Sequence, residues 1–242
     1  MEKILIKDCH LCPRNCGQDR TKGQGFCGGG SKIKIARAAL HHWEEPCISG
    51  ENGSGTIFFS GCQLKCCFCQ NYKISAENYG KEISVEHLAE IFLNLQDQKA
   101  HNINLVSPTQ YVPWIISALE LAKPQLKIPI VYNSGGYENI ETLNMLKGYI
   151  DIFLADLKYM DTVISKKYSN AEDYFKVAAS AIIEMYNQVG GMVFDDNNIL
   201  KKGLIIRHLT LPNNRFDSIN IMKWISDNFK NNDIMISLMS QY

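Results

Sequence analysis

Three cysteines share one short segment. The run Gly61-Cys62-Gln63-Leu64-Lys65-Cys66-Cys67-Phe68-Cys69-Gln70-Asn71 spaces them Cys-x3-Cys-x2-Cys. Three thiolates on one tight loop can hold three irons of a cubane cluster. Soft sulfur ligands select iron–sulfur or zinc over harder ions. Three protein ligands leave one iron open to a substrate or cofactor, whereas four close the cage and leave only electron transfer. The plainer alternative is a zinc loop completed by Cys67. Being adjacent to Cys66, Cys67 is expected to point away from a shared metal, as a packing cysteine or spare thiol. Phe68, just before the last of the three, has the bland reading of a core residue.

A second set, Cys9, Cys12, Cys16 and Cys27, is spaced Cys-x2-Cys-x3-Cys-x10-Cys within a glycine-rich stretch. Four thiolates so arranged fit a closed zinc site or a second iron–sulfur cluster; free thiols are the bland reading. His10, next to Cys9, is not expected to be a ligand. His41-His42-Trp43-Glu44-Glu45 is a dense polar–aromatic run, in which His42 is either a ligand or proton donor near substrate or part of a solvated turn. Cys47 reads as a packing residue.

All nine cysteines precede residue 70. An odd number confined to the first third of a chain argues against a disulfide framework and for a reducing compartment. The 25 Lys and Arg residues balance the 25 Asp and Glu, which excludes a strongly basic nucleic-acid binder. No stretch approaches the roughly 20 apolar residues of a membrane helix. The charged start MEKILIKDCH has no signal-peptide core. The expected location is cytoplasmic.

The rest of the chain must position these residues. Residues 1–50 are expected to form a loop-rich, metal-binding extension, and 51–242 the main domain. From residue 54 short apolar runs alternate with helical periodicities. Strands are expected at 56–61, 102–106, 128–132, 150–157, 204–211 and 234–238. Helices are expected at 85–98, with Ser84 as N-cap, and at 111–123, 138–146, 170–188 and 217–229. Such alternation with short connections is the pattern of a parallel α/β sheet, either doubly wound or a partial barrel. Ligands of such sheets sit at the strands' C-terminal ends. The Cys62–Cys69 loop follows the first strand there. Asp156 and Lys158 end the fourth strand, and i, i+2 spacing puts them on one face. A charge pair inside the sheet is costly unless matched or used; the alternative is a surface pair. Arg207 and His208 must face opposite ways; Arg207 is expected inward and His208 as a satisfied core histidine.

Over essentially its whole length the chain resembles the radical S-adenosylmethionine (SAM) superfamily, and more closely proteins related to pyruvate formate-lyase activating enzyme. The resemblance is carried by CHLCPRNCG at 9–17, HHWEEPCISG at 41–50, GTIFFSGCQLKCCFCQNY at 55–72, HNINLVSPTQYVP at 101–113, IPIVYNSGGYE at 129–138, DIFLADLKY at 151–159, GLIIRHLTLP at 203–212 and ISLMSQY at 236–242. It implies a partial (β/α)6 barrel. It also implies a [4Fe-4S] cluster on Cys62, Cys66 and Cys69, and reductive cleavage of SAM to a 5′-deoxyadenosyl radical. Phe68 would lie near the adenine, and Asp156 and Lys158 would contact SAM. A glycyl radical enzyme is a possible partner, with a flavodoxin- or ferredoxin-type electron donor. The family's glycine-glycine-glutamate motif is absent. In its place stand Leu105-Val106-Ser107-Pro108-Thr109, where Asn104, Ser107 and Thr109 offer an amide and hydroxyls. Asn133 and Ser134 are expected at the ribose, with Gly135 and Gly136 permitting close backbone approach. Arg207 would meet a carboxylate. Ser240, Gln241 and Tyr242 would line the substrate side. Family members usually continue past Tyr242, so the core is expected to be shortened there. The competing function is an iron–sulfur electron carrier or redox sensor without SAM chemistry.

Overall fold

The computed structural model describes residues 6–240. Its strands are β1 (Ile33–His41), β2 (Ser54–Phe59), β3 (Lys81–Ile83), β4 (Ile103–Val106), β5 (Ile130–Ser134), β6 (Ile152–Asp156), β7 (Val193–Phe194), β8 (Leu200–Leu209) and β9 (Met235–Met239). Its helices are α1 (Pro46–Ser49), α2 (Tyr72–Ser75), α3 (Val85–Asp97), α4 (Val112–Ala122), α5 (Ile140–Met145), α6 (Thr162–Ser169), α7 (Tyr174–Val189) and α8 (Arg215–Asn228).

Strands β2, β4, β5, β6, β8 and β9 run parallel, each beside the next in chain order. A doubly wound sheet reverses its order at a switch point. This one never does, so the sheet is singly wound, as in a partial barrel of six parallel strands. Antiparallel β1 and β3 extend it beyond β2, and β7 forms a short antiparallel pair with β8.

Period two divides each strand between two environments. Ile57, Phe59, Ile103, Leu105, Tyr132, Phe153, Ala155, Leu204 and Ile206 join the main core. So do Leu88, Ala89, Phe92 and Leu95 of α3 and Ala178, Ala181, Ile182 and Met185 of α7. The intervening residues Val131, Ile152, Leu154 and Ile205 form a separate cluster with Ile48 of α1 and Leu200. Two residues on from Val131, Leu154 and Ile205 this second face turns polar, with Asn133, Asp156 and Arg207. The sheet thus has one apolar face beneath helices and an inner face that is apolar toward the strand starts and polar at their ends.

Three expectations are corrected. The loop-rich first 50 residues carry a strand that was not expected: β1 pairs with β2 from Ile35 to His41, with one irregularity between Ile35 and Arg37. The helix expected at 170–188 starts later, at Tyr174, because Asn170 takes a left-handed backbone (φ 48°) that ends a separate preceding helix, α6, which was not expected. Strand β5 lies later than expected, at Ile130–Ser134. Ser84 caps α3 as expected, its hydroxyl accepting the His87 N–H at 3.2 Å.

Candidate active site

The loop after β2 turns at Gly61. Its φ is 84°, and a Cβ there would stand 2.2 Å from the Cys27 carbonyl oxygen, so only glycine permits the approach. The Cys62 N–H donates to that same carbonyl at 3.0 Å. Cys69 N–H donates to Cys66 O at 3.0 Å, and Cys67 N–H to Tyr168 O at 2.9 Å. The three motif sulfurs all accept hydrogen bonds, among them Cys62 from Leu64 N–H at 3.4 Å, Cys66 from the Ser169 hydroxyl at 2.9 Å, and Cys69 from the Ser75 hydroxyl at 3.3 Å. Burial raises the Cys62 thiol to about 12, and the neighbouring Cys66 and Cys69 add to the rise. Among the described residues no three metal-ligating side chains already surround a common point. The three sulfurs are nevertheless neighbours on one loop, with donors suited to thiolate. That donor set fits a cubane cluster with one open iron. Cys67 is exposed.

Cys66, Phe68 and Cys69 border a cavity of about 570 Å³. Also on its wall are Asn133, Asp156, Lys158 and Arg207 at the ends of β5, β6 and β8. Asp156 and Arg207 are register partners on adjacent strands. The Asp156 carboxylate accepts from Lys158 Nζ at 2.6 Å and from Arg207 Nε at 2.9 Å. Arg207 Nη2 donates to Asn133 Oδ1 at 2.7 Å, and Nη1 stands 3.4 Å from Glu44 Oε2. Burial disfavours ionised Asp156, but the charges of Arg207 and Lys158 outweigh it and hold the carboxyl below its ordinary range. Burial likewise opposes charge on Lys158, and Asp156, then Cys66, more than restore it. Glu44 is the converse: burial lifts its carboxyl above the ordinary range, and Arg207 offsets this only in part. Both signs of charge and an amide therefore meet within one cavity beside the thiols. Such a set can hold a zwitterionic amino-acid group and a ribose.

Other residues expected at the site are placed elsewhere. Thr109 and Ser134 serve a buried network around Glu138. Thr109 Oγ1 donates to Glu138 Oε1 at 2.8 Å and Tyr132 Oη to Glu138 Oε2 at 3.2 Å. Ser134 hydrogen-bonds the same carboxyl, and its hydroxyl accepts the Gly136 N–H at 3.3 Å. Asn104 is fully buried between Thr56 and Val131 of the neighbouring strands, with no hydrogen-bond partner for its amide among the described residues. Ser107 takes a left-handed backbone (φ 55°) and donates its N–H to Asn133 O at 2.9 Å. None of the four borders the cavity. Gly136 does permit a close backbone approach, but to the Asp156 carbonyl, which a Cβ would meet at 2.2 Å. His42 is exposed and packs near Gly53. His208 faces away from Arg207; its Nδ1–H donates to Leu157 O at 2.7 Å and Nε2 accepts from Ser218 at 2.8 Å. Gln241 and Tyr242 lie outside the described residues.

The cavity also takes His41, Trp43, Glu44 and Glu45 from the segment after β1, and Ser237 and Met239 from β9. Only the composition of the 41–45 run hinted at the first group. Ser237 could have been found by its register opposite Arg207.

Residues 56–193 match the radical SAM superfamily, and the chain belongs to it. It is 31% identical over 256 residues to an uncharacterised protein of Methanocaldococcus jannaschii, covering 99% of this chain and 67% of that protein. It is 24% identical over 204 residues to the pyruvate formate-lyase-activating enzyme of Clostridium pasteurianum, covering 72% of this chain and 83% of the enzyme. Among solved structures, methylornithine synthase superposes with a TM-score of 0.51 at 18% identity, over 74% of this chain and 51% of that one. SuiB of Streptococcus suis gives 0.50 at 16%, over 78% and 39%. The chain thus spans about half or less of those solved proteins, and their likeness concerns the fold. Superfamily membership supports a [4Fe-4S] cluster and SAM as cofactors. No helix among the described residues is long and apolar enough to cross a membrane.

Proposed function

We propose that the chain binds a [4Fe-4S] cluster through Cys62, Cys66 and Cys69 and SAM in the adjoining cavity, and acts as a radical-generating oxidoreductase. The observation that carries this is the meeting, in one cavity, of Cys66 and Cys69 with Asn133, Asp156, Lys158 and Arg207. Loaded with both groups, the site would pass one electron to SAM and break a sulfonium carbon–sulfur bond, giving methionine and a 5′-deoxyadenosyl radical that takes a hydrogen atom from substrate.

This chain's own side chains would do the positioning. Asp156 would accept from the SAM ammonium, and Arg207 and Lys158 would donate to its carboxylate. Asn133 would meet the ribose. Phe68, packed edge-on against Tyr159 and Tyr168 with centroids 6.4 and 6.1 Å away, would flank the adenine. The likeness to the Clostridium enzyme supports a glycyl residue of a partner protein as substrate and a flavodoxin- or ferredoxin-type protein as electron donor; fold alone fixes neither.

The test is anaerobic reconstitution with iron and sulfide, followed by electron paramagnetic resonance of the reduced protein. A cluster signal that changes on adding SAM and vanishes in Cys66→Ala is expected. A signal indifferent to SAM would overturn the proposal and make the chain an electron carrier or redox sensor.

A further inference from the structure

Arg20 is 1% exposed, yet among the described residues no carboxylate is among its contacts. Its guanidinium donates to Gln110 O at 2.7 Å, to Gly30 O at 2.8 Å and to Gly29 O at 3.1 Å. It lies over the rings of Trp114 and Tyr111, 5.1 and 5.8 Å from their centroids. Carbonyls and rings supply partial charge only. A fully buried cation with no counter-charge is costly.

The remaining contact of Arg20 is a sulfur: Nη1 stands 3.8 Å from Cys9 Sγ. The surrounding loop brings the other N-terminal cysteines to the same place. A Cβ on Gly25 would stand 3.6 Å from both Cys16 Sγ and Cys27 Sγ, so these two sulfurs border one space that glycine leaves open. Gly29 N–H donates to Cys27 Sγ at 3.4 Å, and a Cβ on Gly29 would stand 2.8 Å from Arg20 Nη2 and 3.3 Å from Cys27 Sγ. Cys12 is within electrostatic reach of both Cys9 and Cys27. The four sulfurs do not yet surround one point; rotation of thiol side chains on this glycine-flanked loop is what would close the set.

As neutral thiols the four give Arg20 no counter-charge, only the Cys9 contact. As thiolates on a metal they would form an anionic centre, since four thiolates on one divalent ion leave a net charge of about −2. We propose that Cys9, Cys12, Cys16 and Cys27 bind one thiolate-held metal centre and that Arg20 is its buried counter-ion. Zinc and an iron–sulfur cluster share this chemistry.

The centre would also brace the candidate active site. Cys27 O holds the Cys62 N–H. Arg14, between Cys12 and Cys16, donates to Gln63 O and Ser169 O, each at 2.8 Å, and to Asn170 O. The proposal stands independently of the reading of the barrel mouth, and its test removes that site from the measurement.

The test uses the full chain carrying Cys62→Ala, Cys66→Ala and Cys69→Ala, whose metal content can report only the N-terminal set. Elemental analysis and sulfide assay, after loading with zinc alone or with iron and sulfide, distinguish the two kinds of centre. Stoichiometric metal in either arm is expected, lost when Cys12→Ser and Cys27→Ser are added. Metal binding should raise the melting temperature and slow hydrogen exchange across residues 61–69. Arg20→Gln should weaken metal binding about tenfold and shrink the metal-dependent rise in melting temperature. No bound metal in either arm would overturn the metal site. A metal-dependent rise undiminished in Arg20→Gln, with only the metal-free melting temperature lowered, would overturn the counter-ion role.

Discussion

Ser169, the last residue of α6, donates its hydroxyl to Cys66 Sγ at 2.9 Å across 103 residues of sequence. The Ser169 oxygen is in turn 2.8 Å from the Tyr159 hydroxyl. A donor aimed at a ligating sulfur stabilises the more negative, reduced state of a cluster and so raises its potential. Ser169→Ala should therefore lower the midpoint potential of the reconstituted cluster. A net hydrogen bond of about 1 kcal/mol corresponds to roughly 40 mV for one electron. Potentiometric titration followed by electron paramagnetic resonance reads this directly. Ser169→Thr, which keeps the donor, should restore the potential, and an unchanged potential in Ser169→Ala would dismiss the bond as a tuning device.

Asp156 is the shared acceptor of two cations, Lys158 and Arg207. Asp156→Asn would leave both facing each other, with Glu44 as the nearest remaining carboxylate to Arg207. Removing one partner of a buried pair costs about 3–5 kcal/mol; because these groups keep some solvent contact, a loss of about 2 kcal/mol is expected. SAM affinity should fall at least about tenfold, the equivalent of 1.4 kcal/mol. Denaturant unfolding and a SAM titration measure the two effects separately. A variant that loses stability but binds SAM unchanged would leave Asp156 a purely structural residue.

Much of this arrangement was legible because α/β sheets announce themselves by alternation and use their strand ends. The cysteine loop follows β2, and Asp156 and Arg207 sit two residues beyond apolar inner positions. Period two is an unforgiving rule, however. It places Asn133 at the cavity and therefore Ser134 on the opposite face, so the two could not both meet one ligand. Thr109 carries no local sign that its hydroxyl is taken by Glu138, 29 residues away. Strand β1 was hidden because its residues are mostly half-buried, which blurs alternation, and because glycines crowd its start. With β1 unseen, nothing could bring Glu44 to Arg207.

Among the described residues Glu138 has no cation among its hydrogen-bond partners. Burial raises its carboxyl from 4.5 to about 7, and donors from Thr109, Ser134, Tyr132 and Gln63 offset burial only in part. The folded state thus holds this proton more tightly than the unfolded chain. The resulting stability is fully present below about pH 4.5, falls as pH rises toward 7, and is gone above it. At 1.36 kcal/mol per unit the swing is about 3 kcal/mol. Glu138→Gln should flatten unfolding free energy between pH 5 and 8 and stabilise the chain at pH 8. An equal pH slope in wild type and variant would place the responsible proton elsewhere.

Trp43 is 89% exposed, yet it borders the cavity next to Glu44 and Glu45. A large indole left in water contributes little to folding, so Trp43→Ala should change stability by less than about 0.5 kcal/mol. It also lies outside the set of polar and charged side chains Asn133, Asp156, Lys158 and Arg207, so SAM affinity should hold. What an exposed aromatic at a cavity rim can do is grip an incoming molecule, as aromatic anchors do at interfaces. Trp43→Ala should therefore leave reductive SAM cleavage in the absence of substrate unchanged while uncoupling it from product formation when substrate is present. The ratio of 5′-deoxyadenosine to product reads this, and it should rise in the variant. A parallel loss of SAM binding would move Trp43 to the cofactor side of the cavity. An unchanged ratio would leave it outside recognition altogether.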